Sequence, residues 1–258
     1  MKVVMLAGGF GTRISEESEF KPKPMIEIGE KPILWHIMKI YSAYGFDEFV
    51  ICGGYKQNVI KQWFSNYYLY NSDITFDFSE NNKMIIHNNI SEPWKVTIID
   101  TGMDTMTGGR IKRGEKYLQG EPFMLTYGDG VANVNIPELL AFHKNHGKAV
   151  TITTVSIAQQ KGILCIDEND TITAFREKSN EDGSIINGGF MVCNPEIFRY
   201  IEDDRTILEQ DTMRNLAADG ELKSYYHDGF WQCMDTKREK DRLEQLWASG
   251  TAPWKVWE

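Results

Sequence analysis

The stretch MLAGGFGTRISEESEFKPKPM at residues 5–25 combines three glycines, one arginine and two lysines directly after a short apolar run. Glycine lets the backbone approach a ligand closely and turn its N–H groups towards it, and phosphate oxygens accept such hydrogen bonds. Arg13 and Lys23 add positive charge, and a guanidinium binds phosphate through two hydrogen bonds at once. Pro22 and Pro24 fix the backbone on either side of Lys23. These residue types together predict a loop that binds polyphosphate.

The loop matches neither of two common phosphate-binding motifs. A Walker A loop needs Gly-x4-Gly-Lys followed by Ser or Thr, which the loop lacks. A dinucleotide fingerprint that starts at Gly9 continues with Gly11 but has Ile14 where the third glycine belongs. Hydride transfer is therefore not expected. A tight glycine turn with surface lysines is the structural alternative, and the arginine and the Lys-Pro-Lys-Pro run argue against it.

Asp129 is a candidate for metal binding. It follows the apolar run FMLTY, where an unpaired carboxylate is costly. Taken singly, this aspartate has a structural alternative as a turn or helix cap, and the same holds for Asp235 in FWQCMDT. His143 and His146 stand three positions apart on a predicted helix, which is one possible metal-ligand spacing. For these histidines we favour a solvent-facing helix end.

The elements that must position these residues alternate along the first third of the chain. An apolar strand at 2–6 precedes the glycine loop, and an amphipathic helix at 32–45, ending at a glycine, follows it. A second strand at 48–54 and a helix at 58–68 come next. This order predicts right-handed βαβ units on a parallel sheet, whose carboxyl edge is where such folds bind ligands.

The rest of the chain is predicted to be richer in strands. We expect a single domain over 1–258, with a β-hairpin excursion at 74–100. The further predicted elements are a strand at 123–130, a helix at 136–147, a strand at 149–157, a hairpin across 167–171, a strand at 188–194, helices near 195–203 and 206–219, and a C-terminal helix at 237–250.

Bulk composition limits the function classes. The chain has 258 residues, 41% hydrophobic residues and a net charge of −9, which argues against non-specific binding to nucleic acid. It contains neither an apolar run of about 18 residues nor an apolar segment typical of a signal peptide, so we expect no membrane span and a cytoplasmic location. Its four cysteines are scattered without CxxC spacing and are expected to be buried free thiols.

Longer motifs carry a resemblance. LAGGFGTR and KPKPMIEIGEKPIL are followed by WHIMKIYS, EPWKVTIIDTG, MTGGRIKR, TYGDGV, NGGF, GFWQCMDT and APWKVWE. With these motifs the chain resembles the sugar-phosphate nucleotidylyltransferases from residue 1 to residue 258. Ser15, Glu16 and Glu17 follow Gly-Thr-Arg, where the thymidylyl- and uridylyltransferases carry a proline. In this the chain is similar to the cytidylyl-transferring members, the glucose-1-phosphate cytidylyltransferases.

The resemblance implies a fold and a reaction. The fold class is α/β: a Rossmann-like mixed, mostly parallel sheet flanked by helices, with a β-rich sugar-binding lobe. The reaction is transfer of a cytidylyl group from CTP to a sugar 1-phosphate, α-D-glucose 1-phosphate above all, giving CDP-glucose and pyrophosphate with Mg²⁺ as cofactor. The resemblance also implies a homo-oligomer, with a hexamer as the expected size, and a role in CDP-sugar supply for lipopolysaccharide and other surface polysaccharide.

The resemblance also assigns residues. It implies catalytic roles for Arg13, Lys23 and Asp129, and magnesium binding by Asp129 and Asp235. The nucleotide-binding positions are Leu6, Ala7, Gly8, Gly9, Phe10, Gly11, Thr12, Arg13, Lys23, Thr105, Arg110 and Gly128. The positions for the sugar phosphate are Glu177, Lys178, Asn187, Gly188 and Gly189.

Three alternatives stay open at this point. The chain departs from the family pattern at 159–166, Arg176 and Ser179, which leaves the sugar open and admits another phosphorylated acceptor. A glycosyltransferase of similar fold is a second alternative, although such enzymes usually carry Asp-x-Asp where this chain has Gly-Asp-Gly at 128–130. A non-catalytic CDP-sugar-binding relative is the third, and the retained charged residues argue against it.

Overall fold

The structure is a computed structural model that describes residues 1–11, 14, 19–157, 163–166, 172–176 and 184–258. The strands are β1 (Val3–Ala7), β2 (Glu27–Ile28), β3 (Lys31–Pro32), β4 (Glu48–Gly53), β5 (Ser72–Asp77), β6 (Lys83–Asn89), β7 (Lys95–Asp100), β8 (Phe123–Tyr127), β9 (Gly130–Ala132), β10 (Val150–Ile157), β11 (Ile163–Ile166), β12 (Ile172–Arg176), β13 (Ser184–Cys193), β14 (Leu222–His227) and β15 (Trp231–Cys233).

Helices cover both faces of the central sheet. The α-helices are α1 (Ile33–Ser42), α2 (Gln57–Ser65), α3 (Tyr67–Tyr70), α4 (Thr107–Gly114), α5 (Ile136–His146), α6 (Met213–Ala218) and α7 (Lys237–Ala248). Short 3-10 segments span Lys23–Met25, Glu115–Tyr117 and Pro195–Tyr200, and a π-helical turn spans Leu208–Thr212.

The central sheet has seven strands within the described residues, in the order β14-β10-β13-β8-β1-β4-β7. The pairs β1/β4, β1/β8, β4/β7 and β10/β14 are parallel. Strand β13 alone runs against its neighbours β8 and β10. The expected mixed, mostly parallel sheet is confirmed, and three strands of the β-rich second half extend it.

Alternation along β1 explains why the sheet is buried on both faces. Val3 and Met5 pack into a core that includes Ile37 of α1, whereas Val4 packs into a second core that includes Ile111 of α4. Successive side chains of a strand point to opposite faces, so an apolar strand covered on both sides reads as a continuous apolar run.

Some boundaries differ from the expectations. The hairpin is confirmed as the separate β5–β6 ribbon, but the predicted extent of 74–100 is too long, because β7 pairs with β4 at the edge of the central sheet. The run KVTIID, which is rich in β-branched residues, forms this edge strand β7. The helix expected near 195–203 is a 3-10 segment at 195–200, and the one near 206–219 begins as a π-helical turn.

The expectation for His143 is wrong. Its side chain is buried, because position 143 continues the inward stripe of α5 formed by Ile136 and Leu139. The Nδ1 of His143 and the Nε2 of His146 lie 2.8 Å and 2.6 Å from the hydroxyl oxygen of Thr151. Both imidazoles thus tie α5 to β10.

Other expectations concern membranes and thiols. Within the described residues, no helix has the length and apolar character needed to cross a membrane. Cys52, Cys193 and Cys233 are free thiols, the first two buried and the third half-buried. Burial, with nearby carboxylates, raises the pKa of Cys233 to about 12, so this thiol is not a thiolate nucleophile.

Candidate active site

A cleft of about 540 Å³ opens at the carboxyl ends of β1 and β8, the edge at which α/β folds bind ligands. Its walls come from the glycine loop after β1, the 3-10 turn Lys23–Met25, the segment before α4, and the residues that follow β8 and β15. The lining residues are Leu6, Ala7, Gly8, Gly9, Phe10, Gly11, Lys23, Pro24, Met103, Asp104, Thr105, Met106, Thr107, Arg110, Tyr127, Gly128, Asp129 and Asp235.

Three charged side chains meet on one wall of this cleft. The Nζ of Lys23 donates to Oδ2 of Asp129 at 2.6 Å and also to Oδ1 of Asp235. The lysine side chain is only 11% exposed, against 31% for Asp129 and 21% for Asp235. These contacts join residues that are separated by 106 and 212 positions in the sequence.

Local strand pairing brings the two aspartates together. β9 begins just after Asp129, and β15 ends just before Met234 and Asp235. The two strands pair antiparallel, with Cys233 opposite Gly130, and the N–H of Met234 donates to the carbonyl of Asp129 at 2.8 Å. An antiparallel pair places the start of one strand beside the end of the other, so the two carboxylates share one location.

The ammonium keeps its charge in this place. Burial lowers the pKa of Lys23, but the charges and hydrogen bonds of Asp129 and Asp235 outweigh it, and the pKa lies above its usual value. Lys23 therefore stays positively charged between the two carboxylates.

The same carboxylates fit a divalent cation. Both converge on a cation already, and carboxylate oxygens are hard ligands of the kind that Mg²⁺ prefers. The helix-cap alternative for Asp235 is excluded, because Thr236 caps α7: its hydroxyl accepts from the N–H of Glu239 at 3.3 Å. Within the described residues, no group of three or more His, Cys, Asp or Glu forms a metal cluster. A metal here would take its remaining ligands from the substrate and water.

The glycine loop packs against a buried arginine. Arg110 is 5% exposed and donates to the Thr101 hydroxyl at 2.6 Å and to the carbonyls of Gly102 and Met103 at 2.8 and 3.2 Å. A Cβ at Gly8 would lie 2.3 Å from its Nη1, so only glycine leaves room for the guanidinium. Arg110 thus holds the segment after β7 against the loop.

The charge of Arg110 favours an anion in the cleft. Burial lowers its pKa from the usual value, yet a guanidinium stays protonated. Among the described residues, no carboxylate lies within ion-pair distance of it, since its partners there are carbonyl and hydroxyl oxygens. A buried cation of this kind stabilises negative charge that enters the cleft.

Residues predicted for the sugar phosphate lie beside the end of β8. The Nδ2 of Asn187 donates to the hydroxyl of Tyr127 at 3.1 Å, and its Oδ1 accepts from the N–H of Gly189 at 2.8 Å. Trp231 donates from Nε1 to the carbonyl of Gly188 at 2.7 Å. Gly189 has φ +94°, and a Cβ there would lie 3.1 Å from the Tyr127 ring.

The structure brings most of the predicted nucleotide positions to one cleft, including Thr105 and Gly128. Thr12, Arg13, Glu177 and Lys178 lie outside the described residues. The sequence analysis did not assign Tyr127 or Pro24, and within 103–107 it named Thr105 alone. For Tyr127 a signal existed, since it directly precedes Gly-Asp-Gly at the end of an apolar strand.

Comparison with known proteins adds the family. The family model described as nucleotidyl transferase matches residues 2–241. The chain belongs to the nucleotidyl transferase family. It is 52% identical over 259 residues to the glucose-1-phosphate cytidylyltransferases of Salmonella typhi and Salmonella typhimurium, with 100% of each chain covered. The solved structure of HddC from Yersinia pseudotuberculosis shares the fold, with a TM-score of 0.69 at 22% identity, covering 95% of this chain and 99% of that chain.

The packing of Gly8 generates a prediction. Gly8→Ala should destabilise the protein, because the new Cβ would overlap a guanidinium that hydrogen bonds hold in place. Overpacking of this kind costs about 1–3 kcal/mol, which lowers the melting temperature by about 2–4 °C for each kcal/mol. Differential scanning calorimetry measures the change.

Gly9→Ala is the matched control. A Cβ at Gly9 would meet no atom within 4 Å, so this variant should melt with the wild type. Equal melting temperatures for the two variants would contradict the conclusion that Gly8 makes room for Arg110.

Proposed function

We propose that this nucleotidyltransferase transfers the cytidylyl group of CTP to a sugar 1-phosphate, with α-D-glucose 1-phosphate as acceptor, releasing CDP-glucose and pyrophosphate. The observation that carries the proposal is the buried Lys23 between two aspartates in a glycine-lined cleft. The 52% identity to glucose-1-phosphate cytidylyltransferases over the whole chain supports the choice of base and acceptor. A cytoplasmic location and a role in supplying CDP-sugars for surface polysaccharide belong to the same proposal.

The proposed reaction needs no general base. The attacking group is a phosphate oxygen, which is already anionic at neutral pH, and the leaving group is pyrophosphate. The main barrier is to bring two anions into line, so positioning and charge neutralisation carry catalysis. Lys23 and Arg110 supply positive charge on the nucleotide side, and Arg13 is proposed to add to it. On the acceptor side, Lys178 is proposed to neutralise the attacking phosphate.

The glycine loop and the acceptor residues complete this proposal. Backbone N–H groups of the loop at 8–11 are proposed to bind the triphosphate, and Thr105 and Gly128 to contact the nucleoside. Asn187, Gly188 and Glu177 are proposed to bind sugar hydroxyls. Asn187 on β13 donates to the hydroxyl of Tyr127, which lines the cleft, and this contact supports its assignment to the second substrate.

Asp129 and Asp235 are proposed to hold one Mg²⁺. When bound, the ion would neutralise charge on the phosphate oxygens of CTP and on the leaving pyrophosphate. The two carboxylates already share a cation, and their ammonium partner can move on a flexible side chain. Once the carboxylates have another cation, Lys23 is available to pair with phosphate.

A substrate panel tests the activity. Pyrophosphate release should be fastest with CTP and glucose 1-phosphate, and kcat/KM with UTP or dTTP should be lower by at least about tenfold, because a buried partner of the cytosine amino group would be left unpaired. Equal rates with CTP and UTP would contradict the base assignment. Release that does not depend on any sugar phosphate would contradict transfer of the nucleotidyl group to a sugar 1-phosphate. No release at all would support the non-catalytic alternative.

The shared metal generates a second prediction. Asp129→Asn and Asp235→Asn should each lower kcat sharply and raise the Mg²⁺ concentration needed for half-maximal rate. The double variant should be little worse than the worse single variant, because groups that act as a unit are not additive. Asp241→Asn, which removes an exposed carboxylate from α7, is the control and should behave as the wild type. Fully additive losses would mean that the two aspartates act separately.

We further propose that the chain assembles into a homo-oligomer, a hexamer, through the β5–β6 ribbon. Ile74 pairs with Ile86 and Phe76 with Met84, so one face of this ribbon is apolar. Phe76 is 55% exposed and Met84 42% exposed. Two-stranded ribbons are marginal by themselves, and an exposed apolar face marks an interaction site more often than scattered apolar residues do.

A charge introduced on the apolar face of the ribbon tests the proposed interface. Analytical ultracentrifugation should give an oligomer for the wild type and smaller species for Phe76→Glu, because a carboxylate would be buried in the interface. Thr75→Glu places the same charge on the opposite face and should leave the mass unchanged. A monomeric wild type, or equal effects of both variants, would contradict the proposed interface.

A further inference from the structure

The hydroxyl of Tyr127 fixes the amide of Asn187 in one orientation. It donates to Oε1 of Glu209 at 2.7 Å and accepts from Nδ2 of Asn187 at 3.1 Å. A hydroxyl has one proton, so a tyrosine that donates to a carboxylate can only accept from the amide. The other end of the amide is fixed as well, because its Oδ1 accepts from the N–H of Gly189.

These contacts leave part of the hydrogen-bonding capacity of the Asn187 amide unused. An amide side chain has two N–H donors and an oxygen with two lone pairs, and these contacts use one donor and one lone pair. The remaining donor and the remaining lone pair belong to one planar group. A sugar hydroxyl both donates and accepts hydrogen bonds, so it matches this pair.

Glu209 connects the same network to the nucleotide side. Its second oxygen, Oε2, accepts from the hydroxyl of Thr107 at 2.7 Å, and the oxygen of Thr107 accepts from the N–H of Leu208 at 3.0 Å. Thr107 begins α4 and lines the cleft. Glu209 belongs to the π-helical turn Leu208–Thr212, a geometry that is frequent at functional sites. One carboxylate therefore bridges the nucleotide and acceptor sides.

Backbone contacts hold the segment that carries Glu209 against the start of α4. The N–H of Met106 donates to the carbonyl of Asp204 at 2.8 Å, and that of Gly108 to the carbonyl of Thr206 at 3.0 Å. Arg113 makes two hydrogen bonds to the carboxylate of Asp204, at 2.8 and 2.5 Å. The two segments are thus docked together, and Glu209 is held in place relative to Thr107.

The contact with Glu209 defines Tyr127 as a donor. A carboxylate oxygen accepts hydrogen bonds, so the phenol hydroxyl supplies the proton of this contact. The ring itself packs beside Gly189.

We propose that Tyr127 and Glu209 are positioning residues for the acceptor sugar: they fix the amide of Asn187 so that its remaining donor and acceptor face a sugar hydroxyl. This inference rests on the proposed function, in which Asn187 binds the sugar of the 1-phosphate. Neither residue touches the reacting phosphates in this proposal. Their effect reaches the substrate through Asn187.

Steady-state kinetics of Tyr127→Phe test the proposal, because the variant keeps the ring and removes the hydroxyl. The KM for glucose 1-phosphate should rise by about tenfold, the effect of one hydrogen bond of ordinary strength, while the KM for CTP stays within about twofold. Tyr200→Phe removes a hydroxyl that binds Asp219 on the surface and is the matched control, with both KM values unchanged.

Coupling to Asn187 distinguishes positioning from a general loss of structure. In an Asn187→Ala background, Tyr127→Phe should change the acceptor KM by less than about twofold, because the amide it positions is gone. Glu209→Gln should give an intermediate rise in acceptor KM, since its one remaining carbonyl oxygen can serve either Tyr127 or Thr107 but not both. It also gives an independent variant should Tyr127→Phe fold poorly.

The outcomes separate the inference from the proposed function. Wild-type turnover of CTP and glucose 1-phosphate tests the function, whereas the comparison of variants tests the inference. Equal rises in acceptor KM for Tyr127→Phe in the wild-type and Asn187→Ala backgrounds would overturn it. An unchanged acceptor KM in Asn187→Ala, or a rise in the KM for CTP alone, would overturn it as well. The first result would also remove Asn187 from the acceptor site, while the proposed reaction would still stand.

Discussion

The contact on which the cleft depends is the buried ammonium of Lys23 between Asp129 and Asp235. Removing the lysine would leave two neighbouring carboxylates without their counter-charge, and breaking a buried ion pair in this way typically costs about 3–5 kcal/mol. The contact therefore brings together three segments that are distant in the sequence: the 3-10 turn Lys23–Met25, the end of β8 and the end of β15. Gly128 is part of the same constraint, because a Cβ there would lie 2.9 Å from Cγ of Pro24, next to Lys23.

The charges of this group also explain why a metal ion belongs to the proposed reaction. One ammonium and two carboxylates have a formal sum of one negative charge, which would repel a triphosphate. A divalent cation between the carboxylates would make the sum positive by one unit, and the buried Arg110 adds a further positive charge. The two aspartates therefore allow a triphosphate to bind only when a divalent cation offsets their charge. Lysine and arginine alone would not neutralise the carboxylates and the phosphates together.

Local patterns predicted much of this site, and tertiary packing decided the rest. The glycine loop, the proline-flanked Lys23 and the carboxylate at the end of an apolar strand are local signals, because each follows from a few adjacent residues. Asp235 came only from the resemblance, since no local pattern connects it to a lysine 212 positions away. The sequence indicates a helix around His143 but no partner that would bury a histidine there, and only the structure supplies that partner, Thr151 on β10. No local sequence pattern predicts the π-helical turn that carries Glu209.

The antiparallel strand β13 explains how both proposed substrates can meet at one edge of the sheet. In a fully parallel sheet every strand would direct its carboxyl end to that edge, and residues early in a strand would lie at the opposite edge. β13 runs against β8, with Cys193 opposite Phe123 and Met191 opposite Leu125. Continuing this register brings Gly189 to Tyr127, which agrees with the contact between them. The early half of β13, with Asn187, therefore lies beside the carboxyl end of β8, where the metal-binding candidate Asp129 follows. A parallel strand in this place would have separated the acceptor residues from the nucleotide loop by the length of the sheet.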